Sequence, residues 1–424
     1  MDTIFALSSG APPAAIAVVR ISGPKAGLAL ERLVGKIPAP RQAKLGRLRD
    51  SAGALLDEAL VLWFPGPKSE TGEDCAELQL HGGRAVVEAV CAELATIEGL
   101  RHARPGEFTR RAFANGQIDL LQVEGLADLV MAETEMQRRA AVGAAGGSLS
   151  RDVEGWLSRV LTLSAQVEAA LDFDDEDDVG GLGPEFESDI NDLAEDLHDA
   201  LAAPQAEMLR EGYRVALAGP PNAGKSTLFN RLLEEEAAIV SPAAGTTRDV
   251  LVRNIALGGV PFTLVDMAGL REGTGDVIEA MGIGRARDEL ERADLVLWLG
   301  PEGEGPDGAW EIEAQVDLPG HETKTSPDFR LSAVSGEGIA DLWQSLVAEA
   351  RSVMGGLGRT TLARRQRELI TEATEALSAC EAGGDLLVAA EHLRLARSAF
   401  DRLTGRAATE DMLDALFGRF CIGK

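Results

Sequence analysis

Apolar residues come in short runs over the first part of the chain. The clearest runs span residues 14–21, 59–64 and 77–81, and each is followed closely by glycine or proline. Short apolar runs bounded by such turn residues are typical of β-strands. We therefore predict an α+β domain over residues 1–116.

The apolar pattern changes to a helical period from about residue 118. Apolar positions three or four residues apart share one face of a helix. The positions assigned to this face are Leu126, Leu129, Val130, Val153, Leu157, Val160, Leu161 and Ser164. Helical character resumes over 184–210 and again over 359–424. Between them, the acidic run 172–178 predicts a solvated loop, with a metal site as the alternative.

Strands and helices alternate over residues 212–350, which is the pattern of a parallel sheet with crossover helices. Glycines over 355–358 predict a linker. The simplest architecture is a helical domain, residues 117–210 plus 355–424, with an α/β domain, residues 211–354, inserted into it. The expected fold class is multidomain α/β, combining an α+β domain, a helical domain and an inserted domain with a mostly parallel sheet.

Composition narrows the class of protein and its location. The chain has 424 residues, 45% of them hydrophobic, and a formal net charge of −28. This charge argues against a surface built throughout to bind nucleic acid, because phosphate neutralisation needs lysine and arginine. No uncharged apolar run is long enough for a membrane helix, and no signal peptide is visible. We expect a cytoplasmic protein without a membrane partner.

The cysteines Cys75, Cys91, Cys380 and Cys421 are too scattered for a disulfide framework or a zinc site. The first three are interpreted as small core residues in a reducing cytosol. Cys421 lies near the C-terminus. From the residues alone it is either an apolar packing residue, the simpler interpretation, or a thiol that takes part in chemistry.

The segment Gly219–Ser226 fits the phosphate-binding pattern G-x-x-x-x-G-K-[ST]. An apolar run, 215–218, precedes it as a buried strand would, and 227–233 follows as a helix would. In this context, backbone N–H groups and the helix N-terminus bind phosphate oxygens. Lys225 would reach the β- and γ-phosphates and Ser226 would ligate Mg²⁺. The chain is therefore predicted to bind a nucleoside triphosphate.

Four further features, in order, favour GTP as that triphosphate. Gly245–Asp249 stands where a switch threonine would ligate Mg²⁺, and Asp266–Gly269 is a D-x-x-G motif. Ala293–Leu299 is predicted to form the next buried strand, and Ser332–Gly336 matches a guanine-contacting loop. The base-reading motif N-K-x-D is degenerate, since Ala314–Asp317 keeps only the aspartate. A buried carboxylate that accepts two hydrogen bonds from guanine can still supply most of the base selectivity. With asparagine and lysine missing, we expect weaker or looser guanine binding.

The glutamine that positions the hydrolytic water in Ras-like GTPases is missing. Leu270 occupies the usual place directly after D-x-x-G. Another charge must then stabilise the transition state. Asn222 and the oxygens of 241–247 offer ligands for a monovalent cation, which could replace an arginine finger. Glu279 is the best local candidate to orient water, and a solvated switch charge is the alternative interpretation.

With these motifs and both ends of the chain considered together, the sequence resembles the MnmE (TrmE) family of tRNA uridine-5-carboxymethylaminomethyl modification GTPases. The resemblance covers essentially the full length. The segments that carry it, besides the nucleotide motifs, are Asp2–Phe5, Val19–Gly23, Glu77–Gly83, Arg104–Thr109, Asn115–Asp119 and Phe420–Lys424. Ribosome-assembly GTPases with a similar phosphate loop lack both this C-terminal ending and this N-terminal domain.

The resemblance implies an N-terminal domain similar to folate-dependent one-carbon enzymes. Such a domain dimerises and binds a tetrahydrofolate derivative, either 5-formyl- or methylene-tetrahydrofolate. Arg20, Glu77, Gln117 and Lys424 match the family's folate-contacting positions, although many relatives carry a basic residue at the position of Gln117. The resemblance also favours a chemical role for Cys421 over simple packing.

The inserted domain resembles Ras-like P-loop GTPases that potassium activates. The implied K⁺ ligands are Asn222, Ser241, Ala243 and Thr246, the implied Mg²⁺ ligands are Ser226 and Thr247, and the implied hydrolytic residue is Glu279. The implied GTP-binding residues are Asn222, Ala223, Gly224, Lys225, Ser226, Thr227, Ser241, Pro242, Ala243, Ala244, Gly245, Thr246, Thr247, Asp266, Met267, Ala268, Gly269, Asp317, Ser332 and Ala333.

The resemblance also implies partners and a reaction. A homodimer joins the FAD-dependent protein MnmG in a heterotetramer and adds an aminomethyl- or carboxymethylaminomethyl-type group at C5 of the wobble uridine of certain tRNAs. Candidate tRNA contacts are Arg359, Arg364, Arg365, Arg367, Arg394, Arg397 and Arg402. Pairing with acidic residues in the same helices is the alternative explanation of these arginines.

The sequence leaves two alternative functions open. One is a regulatory or ribosome-assembly GTPase without one-carbon chemistry. The other is a general NTPase, because Ala314–Asp317 departs from the guanine motif.

Overall fold

The computed structural model describes residues 2–172, 182, 184–202, 206–234, 251–267, 288–321, 323–354, 361–380 and 385–423. The chain divides into two compact units. The first comprises Met1–Ala127, Ala144–Leu161 and Arg397–Lys424, and the second Asp128–Gly143 and Thr162–Ala396. The division into three domains that the sequence suggests stays a prediction.

The first unit is built on a mostly antiparallel sheet. In order along the chain, its strands are β1 (Thr3–Leu7), β2 (Ile16–Ser22), β3 (Lys44–Arg49), β4 (Leu55–Phe64), β5 (Cys75–His81) and β6 (Leu100–His102). Their order in the sheet is β3-β4-β5-β2-β1-β6. Only the β1–β6 pair among these strands is parallel. The central strands β2 and β5 therefore present facing side chains from distant parts of the sequence.

Helices cover this sheet and extend the first unit. They are α1 (Ala26–Val34), α2 (Arg84–Ala95), α3 (Glu107–Ala114) and α4 (Leu120–Met131). Ala29, Leu30 and Leu33 of α1 are fully or almost fully buried and join the core with Ile21 and Leu78 of the sheet. This apolar face fixes the sheet that carries two of the predicted folate positions.

The second unit contains the mostly parallel sheet that the sequence predicts. Its strands are β7 (Tyr213–Ala218), β8 (Leu251–Leu257), β9 (Val260–Asp266), β10 (Leu295–Trp298), β11 (Trp310–Glu313) and β12 (Phe329–Arg330). Their order is β12-β11-β10-β7-β9-β8. The β8–β9 pair is antiparallel and the other pairs are parallel. The expected combination of an α+β part, helices and a P-loop α/β part is thus confirmed.

The remaining helices are α5 (Glu135–Ala145), α6 (Ser148–Asp172), α7 (Pro184–Leu201), α8 (Ala206–Glu211), α9 (Lys225–Glu234), α10 (Ile339–Val353), α11 (Arg364–Ser378), α12 (Leu386–Thr404) and α13 (Glu410–Phe417). None of the helices within the described ranges is long and apolar enough to cross a membrane.

The predicted apolar helix face is right in its centre and wrong at two positions. Val153, Leu157 and Val160 are buried, whereas Val130 is 42% and Leu161 44% exposed. The α-helix turns by about 100° per residue, so Leu161 points well away from its buried neighbour Val160. The predicted face therefore included two exposed positions, Val130 and Leu161.

Candidate functional site

The phosphate loop joins β7 to α9, as the sequence predicts. Gly219, Asn222 and Gly224 have positive φ angles of 146°, 63° and 91°. At Gly219 a Cβ atom would stand 3.0 Å from the carbonyl carbon of Leu299, so only glycine permits this close approach to the neighbouring strand end. The Lys225 ammonium donates to the carbonyls of Gly219 and Pro220 at 3.0 and 2.7 Å. It therefore lies across the inside of the loop.

Ser226 and Asp266, 40 residues apart in sequence, meet beside this loop. The Ser226 hydroxyl donates to the Asp266 carboxylate over 2.7 Å. Asp266 ends β9, which pairs with β7 so that Asp266 stands opposite Leu217, and its side chain is fully buried. A hydroxyl at a helix N-terminus and a carboxylate at a neighbouring strand end are oxygen groups of the kind that Mg²⁺ takes beside substrate phosphates. The two residues fit the predicted magnesium site.

The base-reading segment follows the end of β11. Gln315, which replaces the lysine of N-K-x-D, has a left-handed φ of 60° and donates from Nε2 to the Asn222 carbonyl at 3.2 Å. A Cβ atom at Gly224 would lie 3.3 Å from the same Nε2. Gln315 thus spans from the base-reading segment to the phosphate loop. This contact was not predicted, because comparison with N-K-x-D shows only that the motif lysine is missing at Gln315.

The other predicted base contacts lie at the same edge of the sheet. Asp317 is exposed, so it is not the buried carboxylate that was expected to select the base. Ser332 after β12 is fully buried, where its hydroxyl accepts from the Ser335 backbone N–H at 3.0 Å. Ala333 follows it and is half-buried. Strands β7, β9, β11 and β12 all end at this edge, and carboxyl ends of parallel strands are where such sheets bind ligands. Residues Asn222, Ala223, Gly224, Lys225, Ser226, Thr227, Asp266, Met267, Asp317, Ser332 and Ala333 therefore belong to one edge.

Several predicted positions lie outside the described residues, and their assignments stay predictions. They are Ser241, Pro242, Ala243, Ala244, Gly245, Thr246, Thr247, Ala268, Gly269, Leu270, Glu279, Lys424, residues 173–178 of the acidic run, the linker 355–358 and Arg359.

A second candidate site occupies the sheet of the first unit. Arg20 on β2 stands opposite Glu77 on β5 and donates to its Oε1 from Nε at 3.0 Å and Nη2 at 2.9 Å. Arg20 also pairs with Glu70 and lies 5.8 Å from the ring centroid of Phe108. Burial lowers the pKa of Arg20, but the carboxylates of Glu70 and Glu77 outweigh it and raise that pKa overall. The Arg20 guanidinium is therefore charged, and its bonds to Glu70 and Glu77 fix its orientation.

The loop that contains Glu70 also approaches Gln117. A Cβ atom at Gly72 would lie 3.2 Å from Gln117 Nε2. The Asn115 side chain donates to the Thr71 carbonyl at 2.7 Å and fixes the start of this segment. Arg20, Glu77 and Gln117 thus border one short loop, although the structure does not join Gln117 directly to the other two by a hydrogen bond.

The C-terminal tail lies against β1. Gly423 has φ +100°, and a Cβ atom there would stand 2.0 Å from the Leu7 carbonyl oxygen. Leu7 pairs with Val19, the neighbour of Arg20. Phe420 is buried with Phe417, whereas Cys421 is exposed. The fold brings the tail beside the strand pair that carries Arg20 and leaves the Cys421 thiol accessible, so packing does not account for this cysteine.

Burial of the other cysteines follows the prediction for two of three. Cys75 and Cys380 are buried, and Cys91 is half-buried. Burial raises the pKa of the Cys91 and Cys380 thiols, which disfavours the reactive thiolate. Among the described ranges, no group of three or more His, Cys, Asp or Glu side chains is arranged to hold a metal ion.

Three of the candidate tRNA arginines form ion pairs with acidic residues of their own helices. Arg364 pairs with Glu368 at 2.8 Å and Arg394 with Glu391 at 2.6 Å. Arg397 lies 3.7 Å from Asp401. These pairs within one helix support the alternative explanation given for the arginines.

Comparison with known proteins identifies the family of the chain. The model of the GTP-binding protein TrmE N-terminus matches residues 3–117, and the MnmE helical domain model matches residues 120–421. A tRNA modification GTPase MnmE from Erythrobacter litoralis is 62% identical, and one from Novosphingobium aromaticivorans 58%, each over 100% of both chains. The crystallised G domain of the T. maritima FeoB iron transporter is 26% identical, with 32% of this chain and 98% of that chain covered, at a TM-score of 0.24. From the full-length identity and the two family models, the chain belongs to the MnmE family of tRNA modification GTPases.

Proposed function

We propose that this protein hydrolyses GTP as part of tRNA modification, and that it uses potassium to do so. The observation that carries the proposal is the Ser226–Asp266 hydrogen bond of 2.7 Å beside the Lys225 ammonium. These three side chains supply one cation, one direct Mg²⁺ ligand and a carboxylate that can hold Mg²⁺ through water. In GTPases this combination neutralises the charge on the transferred phosphoryl group.

Guanine recognition is proposed for the edge formed by Asp317, Ser332 and Ala333. A carboxylate can accept paired hydrogen bonds from N1–H and N2–H₂ of guanine, whereas adenine offers no such pair. Gln315 supports Asp317 by tying its segment to the phosphate loop. The degenerate motif is therefore proposed to keep most of its selectivity for guanine, with weaker binding than a complete motif gives.

Potassium would bind beside the same loop. Asn222 is exposed in a left-handed conformation, with its carbonyl already accepting from Gln315, so its side-chain oxygen is the group left for a cation. When bound, K⁺ would supply the positive charge that an arginine finger supplies in other GTPases. Ser241, Ala243 and Thr246 as further K⁺ ligands, Thr247 as a Mg²⁺ ligand and Glu279 as the hydrolytic residue belong to this proposal.

One-carbon chemistry is proposed for the first unit. Glu77 can accept paired N–H bonds from the aminopyrimidine edge of a pterin, and Arg20 holds that carboxylate in place. Gln117, Lys424 and a tetrahydrofolate derivative complete the proposed site, beside which the exposed Cys421 would act on the uridine. A homodimer working with FAD-dependent MnmG would then modify C5 of the wobble uridine.

GTP turnover measured in KCl and in NaCl tests the proposed potassium-dependent GTP hydrolysis. We expect turnover to be at least tenfold faster in KCl, and slow with ATP in either salt. Equal rates in the two salts would remove the cation from the mechanism. ATP turnover approaching that of GTP would instead favour a general NTPase.

Deletion of Cys421–Lys424 tests the proposed role of the C-terminal tail in tRNA modification. Cells that depend on the truncated protein should lose C5-modified wobble uridine when their tRNA is digested to nucleosides. The purified truncated protein should keep its potassium-dependent GTP turnover, because the phosphate loop lies in the other unit. Unchanged nucleosides would contradict the proposed role of the tail.

A further inference from the structure

His321 makes two hydrogen bonds at the end of the base-reading segment. Its Nε2 lies 3.0 Å from Glu313 Oε1 and its Nδ1 lies 3.1 Å from the Leu318 carbonyl oxygen. Both oxygens are acceptors, so both ring nitrogens must donate for the two bonds to form. Only the protonated imidazolium has two N–H donors. The geometry therefore selects the charged ring.

The surroundings of His321 are a compact set of charges at the end of β11. Glu313, whose side chain is 5% exposed, also accepts from Arg330 Nε at 3.1 Å and from the Lys324 backbone N–H. The Lys324 ammonium turns away to Glu311, 2.5 Å distant. The hydrogen bond to Glu313 is the largest cause that raises the pKa of His321, while the Arg330 charge opposes it. Hydrogen bonding from His321 in turn lowers the pKa of Glu313.

These two hydrogen bonds join His321 to the residues on either side of the segment proposed to read the base, an arrangement called the clasp below. Glu313 directly precedes Ala314–Asp317, and Leu318 directly follows it. Ala314 has no polar side chain with which to hold the segment. The Leu318 backbone N–H bonds to the Gln315 carbonyl at 2.9 Å, so the clasp and the Gln315 contact act on the same turn. Asp317 lies inside that turn.

We propose that His321 is a positioning residue for base recognition, whose imidazolium holds Asp317 in register by bridging Leu318 and Glu313. This inference rests on the proposed guanine site. Loss of the ring proton removes a donor from one of the two bonds and frees one end of the segment. Guanine nucleotide affinity should then fall as the pH rises through the titration of His321, and the part of the affinity that depends on the base should fall most.

The test measures GDP and IDP affinity of the full-length protein by isothermal titration calorimetry from about pH 6 to about pH 8.5, a range that spans the ordinary titration of histidine. IDP lacks the 2-amino group and therefore one of the two bonds to Asp317. We expect GDP affinity to fall about tenfold or more over this range, as for the loss of one charge-assisted hydrogen bond. The preference for GDP over IDP should shrink with it. A role confined to stability would lower both affinities alike.

The variant His321→Gln keeps one donor and cannot gain a proton. It should bind GDP at every pH as the wild type does at about pH 8.5. His198→Gln is the matched control, because His198 is exposed on α7 of the same unit, and it should keep the wild-type slope. An unchanged slope in His321→Gln, or a flat wild type, would overturn the inference.

A second measurement does not depend on the variant folding. Linkage requires that GDP raise the pKa of His321 by the same factor as protonation strengthens GDP binding. NMR titration of the His321 ring in wild-type protein, with and without GDP, should show that rise, and an identical pKa in both states would contradict the clasp. Absence of any GDP binding would instead contradict the proposed GTPase function and is distinguishable from either result.

Discussion

The side-chain amide of Gln315 donates a 3.2 Å hydrogen bond to the backbone carbonyl of Asn222. It links the segment proposed to read guanine with the residue proposed to ligate potassium. Both residues have left-handed backbone angles, 60° at Gln315 and 63° at Asn222. Such conformations cost about 1 kcal/mol or more for residues other than glycine. We infer that the hydrogen bond between the two residues helps to stabilise both left-handed conformations.

Replacing Gln315 by alanine should therefore raise the KM for GTP about three- to tenfold, as expected for the loss of one hydrogen bond. The potassium concentration needed for half-maximal turnover should rise as well, because Asn222 loses its tether. Steady-state turnover over a range of GTP and KCl concentrations measures both effects. Gln344→Ala, an exposed glutamine on α10, is the control and should change neither. If the KM rises while the potassium requirement stays constant, the two sites are independent.

Replacing Ser226 by alanine should raise the Mg²⁺ concentration needed for GTP turnover by about tenfold or more, because a direct oxygen ligand of the metal is lost. Asp266 is fully buried, so its carboxylate also loses the partner that holds it at 2.7 Å. Turnover measured against total Mg²⁺ gives the comparison with wild type. Asn230→Ala, exposed on the same helix, should leave the Mg²⁺ dependence unchanged. The same dependence in Ser226→Ala would exclude this residue from the metal site.

The phosphate site could be predicted from sequence because its chemistry is local. Gly219–Ser226 is contiguous, and each type of residue in it is required by the path of the loop or by phosphate. The partner of Ser226 was also predictable, since Asp266 ends an apolar run that can only be a buried strand. Order along the chain then places the aspartate at the same sheet edge.

The contacts of Gln315 and His321 could not be predicted in this way. The first depends on a left-handed backbone at a glutamine, which has no sequence signal. The second depends on a turn between Gln315 and Leu318 that returns the chain toward Glu313. The pairing of Arg20 with Glu77 spans 57 residues and follows from strand register, which the sequence alone does not fix. The resemblance to a family named both residues without indicating that they bond.

Replacing Gly423 by alanine should displace the C-terminal tail. The new Cβ would stand 2.0 Å from the Leu7 carbonyl oxygen, and the φ of +100° is itself unfavourable for alanine. Binding of 5-formyl-tetrahydrofolate, measured by calorimetry, should weaken about tenfold or more, while GTP turnover stays at the wild-type rate. Gly53→Ala is the matched control, because Gly53 has φ +85° but nothing within 4 Å of its Cβ position. Unchanged folate affinity in Gly423→Ala would separate the tail from the folate site.

Replacing Glu77 by glutamine should abolish most folate binding with little loss of fold. The amide keeps the shape of the side chain but has one acceptor where the carboxylate has two, and Arg20 retains Glu70 as an ionic partner. We expect folate affinity to fall about 30-fold or more, the cost of leaving a buried donor unpaired. Glu58→Gln on the neighbouring strand β4 is the control, since that carboxylate is exposed and pairs only with Arg47 among its resolved ion pairs. Equal folate affinity in Glu77→Gln and Glu58→Gln would contradict the assignment of Glu77.

Glu107 should make the first unit sensitive to acid. Its carboxylate accepts from both terminal nitrogens of Arg101 and from the Arg104 backbone N–H. Burial raises the pKa of Glu107, but these bonds outweigh it and hold the pKa below its ordinary value. A carboxyl group with a lowered folded-state pKa stabilises the fold above its unfolded-state pKa, and this contribution is lost as pH falls through the folded-state pKa.

We therefore expect Glu107→Gln to lower the free energy of unfolding by about 1 to 2 kcal/mol near pH 7, since it weakens charge-assisted hydrogen bonds between the mostly buried Glu107 and the partly exposed Arg101. The difference from wild type should shrink below about pH 4, where the wild-type carboxyl also takes up a proton. Urea unfolding at both pH values, followed through a probe in the first unit, measures the two differences. Glu88→Gln, an exposed glutamate on α2, should match the wild type at both. A Glu107→Gln deficit that is the same size at low and neutral pH would mean that shape, not charge, accounts for it.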